Sequence, residues 1–357
     1  MRVTTNDEYI KKYTQKEEVY KMNKEFKILS IKEENQLSKE ELKEYYKNLR
    51  EYLLKRKLTN TTPGITTIAP KLKKPVERVA IKLVELFTNK NVTWNSENWI
   101  YDGLENIPEG PVIFAHTHQG LLDNFVWMPE INKHSPILHS IDASKLFLYT
   151  EYTTGLILVK KGNKENNQNA KLDMINLLLN GISITYFPES AWNLSPNKLH
   201  LPLSYGLIDT AKKAGVPIIP VVHEYTYDTS SKKENITKIH SRYGMPIYVS
   251  EQDDLLEKLS EYEEQISTIR YDLIEEKGIF KRSDIKNSDY INYLKGNYNN
   301  LLFGKIDINN ERRYLFRAND EFYKFHHIND IPFNEKGELL ETKEVIKLKT
   351  LNKKHNI

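Results

Sequence analysis

His118 and Asp123 are the pair of residues whose types and spacing most directly suggest chemistry. They stand in the stretch PVIFAHTHQGLLDNFVW, residues 111–127. An imidazole can take a proton near neutral pH, and a nearby carboxylate can fix its other nitrogen in one tautomer and stabilise the cation. Asp123 follows His118 by five residues, about one and a half turns if a helix opens at Gly120. A turn histidine and a helix-capping aspartate would leave the same trace, so the pair gains weight only from its surroundings.

Those surroundings are favourable. Residues 112–115 form a short apolar run with β-branched members, which predicts a buried strand. The polar cluster 116–119 comes next, and then the expected helix. A strand running through a polar turn into a helix is where α/β proteins place ligands, because the strand ends at a crevice lined by helix N-termini.

Composition sets the outer limits. The 357 residues suffice for one large α/β domain with helical additions, or for two domains. Apolar residues make up 39% and charged residues 28%, ordinary for a chain that buries a core. Lys and Arg number 52 against 49 Asp and Glu, so the formal charge of +3 gives no argument for a nucleic-acid partner. With no cysteine, disulfides, thiolate zinc sites and a cysteine nucleophile are excluded. The charged N-terminal stretch lacks the apolar core of a signal peptide. No run approaches the roughly 18 apolar residues that span a bilayer. The expected location is therefore cytoplasmic, with any membrane contact peripheral.

Along the chain, three regions are expected. Residues 1–74 read as an N-terminal helical region and linker. Ser38 and Glu41 form a capping box, and Leu42, Tyr45, Tyr46, Leu49 and Leu53 recur at helical spacing, predicting a helix over 39–57. The threonine-rich stretch 59–74, with Pro63, Gly64 and Pro70, predicts a linker. Residues 75–277 read as the catalytic domain. Its first helix, from Pro75, carries an apolar face beside Lys71, Lys73, Lys74, Arg78 and Lys82, which suits either core packing or an anionic membrane surface. Strands are expected near 92–94, 99–101, 137–141, 156–159, 182–187 and 216–222, and helices over 169–180, 207–214 and 251–277. Alternating strands and helices predict an α/β fold with a mixed, mostly parallel sheet flanked by helices. Residues 278–357 form a C-terminal extension, polar, aromatic and without a legible role.

Five stretches, taken in order, resemble the glycerolipid acyltransferase superfamily of lysophosphatidic acid and glycerol-3-phosphate acyltransferases. Gly103-Leu104-Glu105-Asn106-Ile107-Pro108 is similar to the family's lead-in, and His118 to Asp123 matches its His–four residues–Asp motif. Gly155 to Lys161 resembles the second motif, Phe187-Pro188-Glu189 the third, and Val216 to Val221 the fourth. The resemblance implies that His118 acts as general base on an acceptor hydroxyl, which attacks an acyl thioester, while Asp123 orients the imidazole. It implies substrate-binding roles for Glu189, Lys161, Gly155, Phe187, Pro188 and Ser190. It also implies no bound cofactor, with acyl-CoA or acyl carrier protein as donor substrate, a lysophospholipid or related polar lipid as acceptor, and work at the inner face of a membrane.

The chain departs from the family at informative places. After the glutamate the family has Gly-Thr-Arg, whereas this chain has Ser190-Ala191-Trp192. Lys161 replaces the usual arginine and lacks its bidentate fork. Thr117 stands where asparagine is usual. These changes leave the transfer chemistry possible and put the acceptor in question.

Two other readings remain at this stage. One is a non-catalytic lipid-binding module on the same fold. The other is a zinc hydrolase built on the His116-x-His118 pair with His223 as a third ligand; Gly120 stands where one such hydrolase class needs aspartate.

Overall fold

The computed structural model describes residues 26–62, 91–92, 99–118, 123, 135–140, 155–160, 162–190, 199–201, 203–228 and 235–276. The expected helix from Pro75, the linker after residue 62, Lys161, Trp192 and the extension 278–357 lie outside these residues.

Eight strands form one sheet: β1 (Asn91–Val92), β2 (Trp99–Asp102), β3 (Ile113–His116), β4 (Ile137–Ser140), β5 (Leu156–Val159), β6 (Ile184–Tyr186), β7 (Ile218–Asp228) and β8 (Asn235–Tyr243). The order is β1-β8-β7-β3-β6-β4-β5, with β2 also paired to β8. All pairings are parallel except β7 with β8. The sheet is therefore mixed and mostly parallel, as the alternating pattern predicts. β3 is central, and its side chains alternate between two apolar clusters. Ile113 and Ala115 face the helices, while Val112 and Phe114 pack with Ile219, Val221 and Tyr243 on the other side. A strand buried on both faces has to be apolar at successive positions, which is why 112–115 is apolar without a break.

The helices are α1 (Ile31–Glu34), α2 (Lys39–Lys55), α3 (Lys164–Leu179), α4 (Gly206–Ala214) and α5 (Leu255–Glu276). The Ser38–Glu41 capping box starts α2, and Tyr46, Leu49 and Leu53 enter the same core as α3 and α4. Arg50 ties this helix down, donating to the Lys213 carbonyl at 2.8 Å and pairing with Glu251 at 2.9 Å. α3 begins five residues before its apolar periodicity, because the Asn163 side chain accepts from the Asn166 N–H at 2.9 Å and caps the polar first turn. Asp254 does the same for α5, accepting from the N–H groups of Leu256 and Glu257. Leu256, in the first turn of α5, is exposed.

Gly103 shows why the lead-in to the site needs a glycine. Its φ of +75° is left-handed, and a Cβ there would stand 2.2 Å from the Tyr243 carbonyl oxygen, backbone that cannot yield. The Asn106 side chain donates to that same carbonyl at 2.9 Å, locking the turn onto the end of β8.

Candidate active site

β3 and β6 are parallel neighbours in register, Ala115 opposite Tyr186, so their carboxyl ends open at the same level. Two residues beyond β3 is His118, and three beyond β6 is Glu189. The two turns are joined directly, because the His118 N–H donates to Glu189 Oε1 at 2.7 Å. The other oxygen, Oε2, accepts from the Leu201 N–H at 2.7 Å. Glu189 is buried, and burial pushes its carboxyl above the usual range. The two N–H bonds and then the charges of His200 and Arg270 oppose that rise without cancelling it.

His118 Nδ1 lies 2.9 Å from Asp123 Oδ2. Asp123 is fully buried, whereas 15% of the His118 side chain remains exposed. With Nδ1–H donating to the carboxylate, the basic lone pair resides on Nε2. Phe187 stacks on the imidazole, ring centres 4.3 Å apart and planes 31° apart, which limits its rotation. Pro188 accepts from the Ser204 N–H at 3.0 Å, and the Ser190 N–H closes the turn onto the Phe187 carbonyl at 3.0 Å. Ser190 has φ +55°, the left-handed region that L-residues other than glycine, asparagine and aspartate rarely visit. This is the position where the resemblance expects glycine, the residue that adopts such a φ most readily.

A second imidazole pair lies beneath this one. His116 Nδ1 and His223 Nε2 are 2.7 Å apart, and His223 Nδ1 is 2.8 Å from Ser241 Oγ. Both rings are fully buried. His223 is held down to about 3, first by burial and then by the neighbouring His116. Among the described residues no group of three or more His, Cys, Asp or Glu could hold a metal ion.

The remaining sequence candidates are spread more widely. Gly155 opens β5 with φ +95°. That strand is three positions from β3 across the sheet, roughly 14 Å at the usual strand spacing. Lys160 follows β5 and is exposed; Lys161 lies outside the described residues, as do Gln119 and Gly120.

Sequence reasoning missed the support that α5 gives this site. Tyr262 donates its hydroxyl to the Ala115 carbonyl of β3 at 3.2 Å. Arg270, completely buried, donates to the Leu199 carbonyl and pairs with Glu224 of β7 at 3.6 Å. His200 Nε2 and Glu263 are 3.3 Å apart. A signal existed: Arg270 follows Ile266 by four residues and precedes Leu273 by three, which sets a charge on the apolar face of the helix.

Residues 99–224 match the family model described as Acyltransferase. No curated protein matches the chain. Among solved structures, one similar chain is the 1-acyl-sn-glycerophosphate (LPA) acyltransferase PlsC from Thermotoga maritima. It is 20% identical over 58% of this chain and 81% of that one, with a TM-score of 0.40. His118, Asp123 and Glu189 fall inside the matched region; α5 lies beyond it.

Proposed function

We propose that residues 99–224, an acyltransferase domain of the glycerolipid acyltransferase superfamily, move a fatty acyl group from an acyl thioester to a hydroxyl acceptor. The donor is acyl-CoA or an acyl carrier protein, and the acceptor a lysophospholipid or related polar lipid. The observation that carries this reading is the His118–Asp123 contact of 2.9 Å, with the aspartate buried and the imidazole partly open to solvent.

In this reading His118 Nε2 takes the acceptor proton as the hydroxyl oxygen attacks the thioester carbonyl. Asp123 keeps the imidazole in the productive tautomer and offsets the positive charge that develops. The tetrahedral intermediate collapses with loss of the C–S bond, and the imidazolium returns its proton to the leaving thiolate. Glu189 holds the backbone of His118, and meets the acceptor only through lone pairs its two N–H bonds leave over. Phe187, Pro188 and Ser190 form the adjoining wall, Gly155 opens β5, and Lys161 supplies positive charge for a polar headgroup. The work is done at the inner face of a membrane, by peripheral contact; no helix among the described residues is long and apolar enough to cross one.

The test is transfer from labelled long-chain acyl-CoA and acyl carrier protein into a panel of lysophospholipids, polyols and amines, with products resolved by mass spectrometry. An O-acylated lipid is the expected product. Saturable binding of lipid without any product across both donors would replace this reading with a lipid-binding module.

A further inference from the structure

Glu189 is a buried carboxylate that serves two backbone N–H groups, one of them that of His118. An anionic acceptor makes such bonds about twice as strong as a neutral one, and a carboxyl group that takes up a proton turns one oxygen into a donor. The grip on His118 therefore depends on Glu189 remaining ionised in a place that favours its neutral form.

The groups facing it come from several elements. His118 lies on the turn after β3. His200 sits in the segment 199–201 that Glu189 grips through the Leu201 N–H. Tyr262 and Arg270 come from α5, and Arg270 is itself paired with Glu224 of β7. His200 is the neighbour of Glu263. Arg270 is the permanent cation of the group, fully buried, and it grips the same segment at the Leu199 carbonyl, two residues from the amide that Glu189 binds.

We propose that Arg270 of α5 is a positioning residue for the active site: its charge keeps Glu189 ionised, and Glu189 in turn fixes the backbone of His118. The inference rests on the acyltransfer reading for its kinetic consequence but not for its electrostatic one. It also makes α5, which lies outside the family-matched region, a working part of the site.

The test pairs kinetics with a spectroscopic reading of the His118 amide. Replacing Arg270 alone would leave Glu224 without its cation, so the working variant is Arg270→Met with Glu224→Gln, which removes both charges together. Protein labelled with 15N-histidine gives the His118 N–H resonance, whose position reports whether its acceptor is charged. In the wild type this resonance should show no transition from Glu189 between pH 6 and 9. In the double variant it should move through a single transition in that range, and kcat should follow, down ~10-fold or more at the acid end and recovering towards the Glu224→Gln control as Glu189 ionises. Arg270→Lys, which keeps the charge, should restore the fixed resonance, and Glu189→Gln should show the loss with no recovery at high pH. A double variant with a pH-independent resonance, or with wild-type kcat throughout, overturns the proposal. If the wild type transfers no acyl group at all, the resonance still decides the charge claim, so the two failures are separable.

Discussion

Replacing Asp123 by asparagine keeps the shape of the side chain and removes its charge, which makes it a direct probe of the proposed catalytic pair. In the structure, Asp123 Oδ2 is 2.9 Å from His118 Nδ1, and the carboxylate is fully shielded from water. When His118 takes the acceptor proton, the charges of imidazolium and carboxylate are centred about 4 Å apart, worth ~4 kcal/mol at the effective dielectric suited to protein sites. Part of that is already present in the neutral hydrogen bond, and asparagine retains a carbonyl that can accept. Asparagine can also present its amide to Nδ1 and select the wrong tautomer, which works in the opposite direction. A loss of about 10³-fold in kcat follows, at about 1.4 kcal/mol per tenfold, with KM little changed because the charge is offset only in the transition state. Single-turnover transfer from a labelled thioester, with acceptor saturating, isolates the chemical step. A fall smaller than about 10-fold, with the fold intact by circular dichroism, would mean that Asp123 caps a helix and that the electrostatic argument is wrong.

Two further outcomes follow from the same neighbourhood. His223 is buried neutral with its acid strength pushed to about 3 from the ordinary 6.5. The unfolded chain therefore takes the proton first as pH falls, and stability present above pH 6.5 drains away below it, by about 2 kcal/mol at pH 5 from this residue. Urea unfolding at pH 7.5 and pH 5 should show that loss shrinking by a comparable amount in His223→Asn; equal losses in both proteins would show that the ring is not the acid-sensitive group. At Ser190, held at φ +55°, Ser190→Gly should be at least as stable as wild type, and Ser190→Val less stable by about 2 kcal/mol, since a β-branched side chain is worst placed there. Stability in Ser190→Val equal to wild type would mean the turn relaxes freely.

What the sequence made legible was local. The capping box of α2, the apolar run of β3, the glycines closing α3 and α4, and the motif order from Gly103 to Val221 all rest on interactions within a few residues, and they locate the site before any fold is known. β8 was missed for a physical reason. The pairing of β7 with β8 slips between Thr226 and Tyr227, leaving Thr237 without a register partner. One extra residue in a strand interrupts the period-two alternation that would reveal it in sequence. β7 itself runs to Asp228, six residues past the expected end, because its first residues pair with β3 in parallel while the later ones pair with β8 alone. The His116–His223 hydrogen bond and the reach of Arg270 to Leu199 join residues 107 and 71 positions apart. No spacing rule reaches that far. The HxH pair illustrates the limit: His116 meets His223 and His118 meets Asp123, partners that its spacing in sequence does not reveal.

The central claim is that His118 is the base for acyl transfer. Its most direct test is the rate of acyl-product formation by wild type and by His118→Ala, measured side by side with the thioester and acceptor identified from the panel. The account predicts product from the wild type and a loss of at least ~10³-fold in the variant with its fold retained. Equal rates in the two proteins would contradict it.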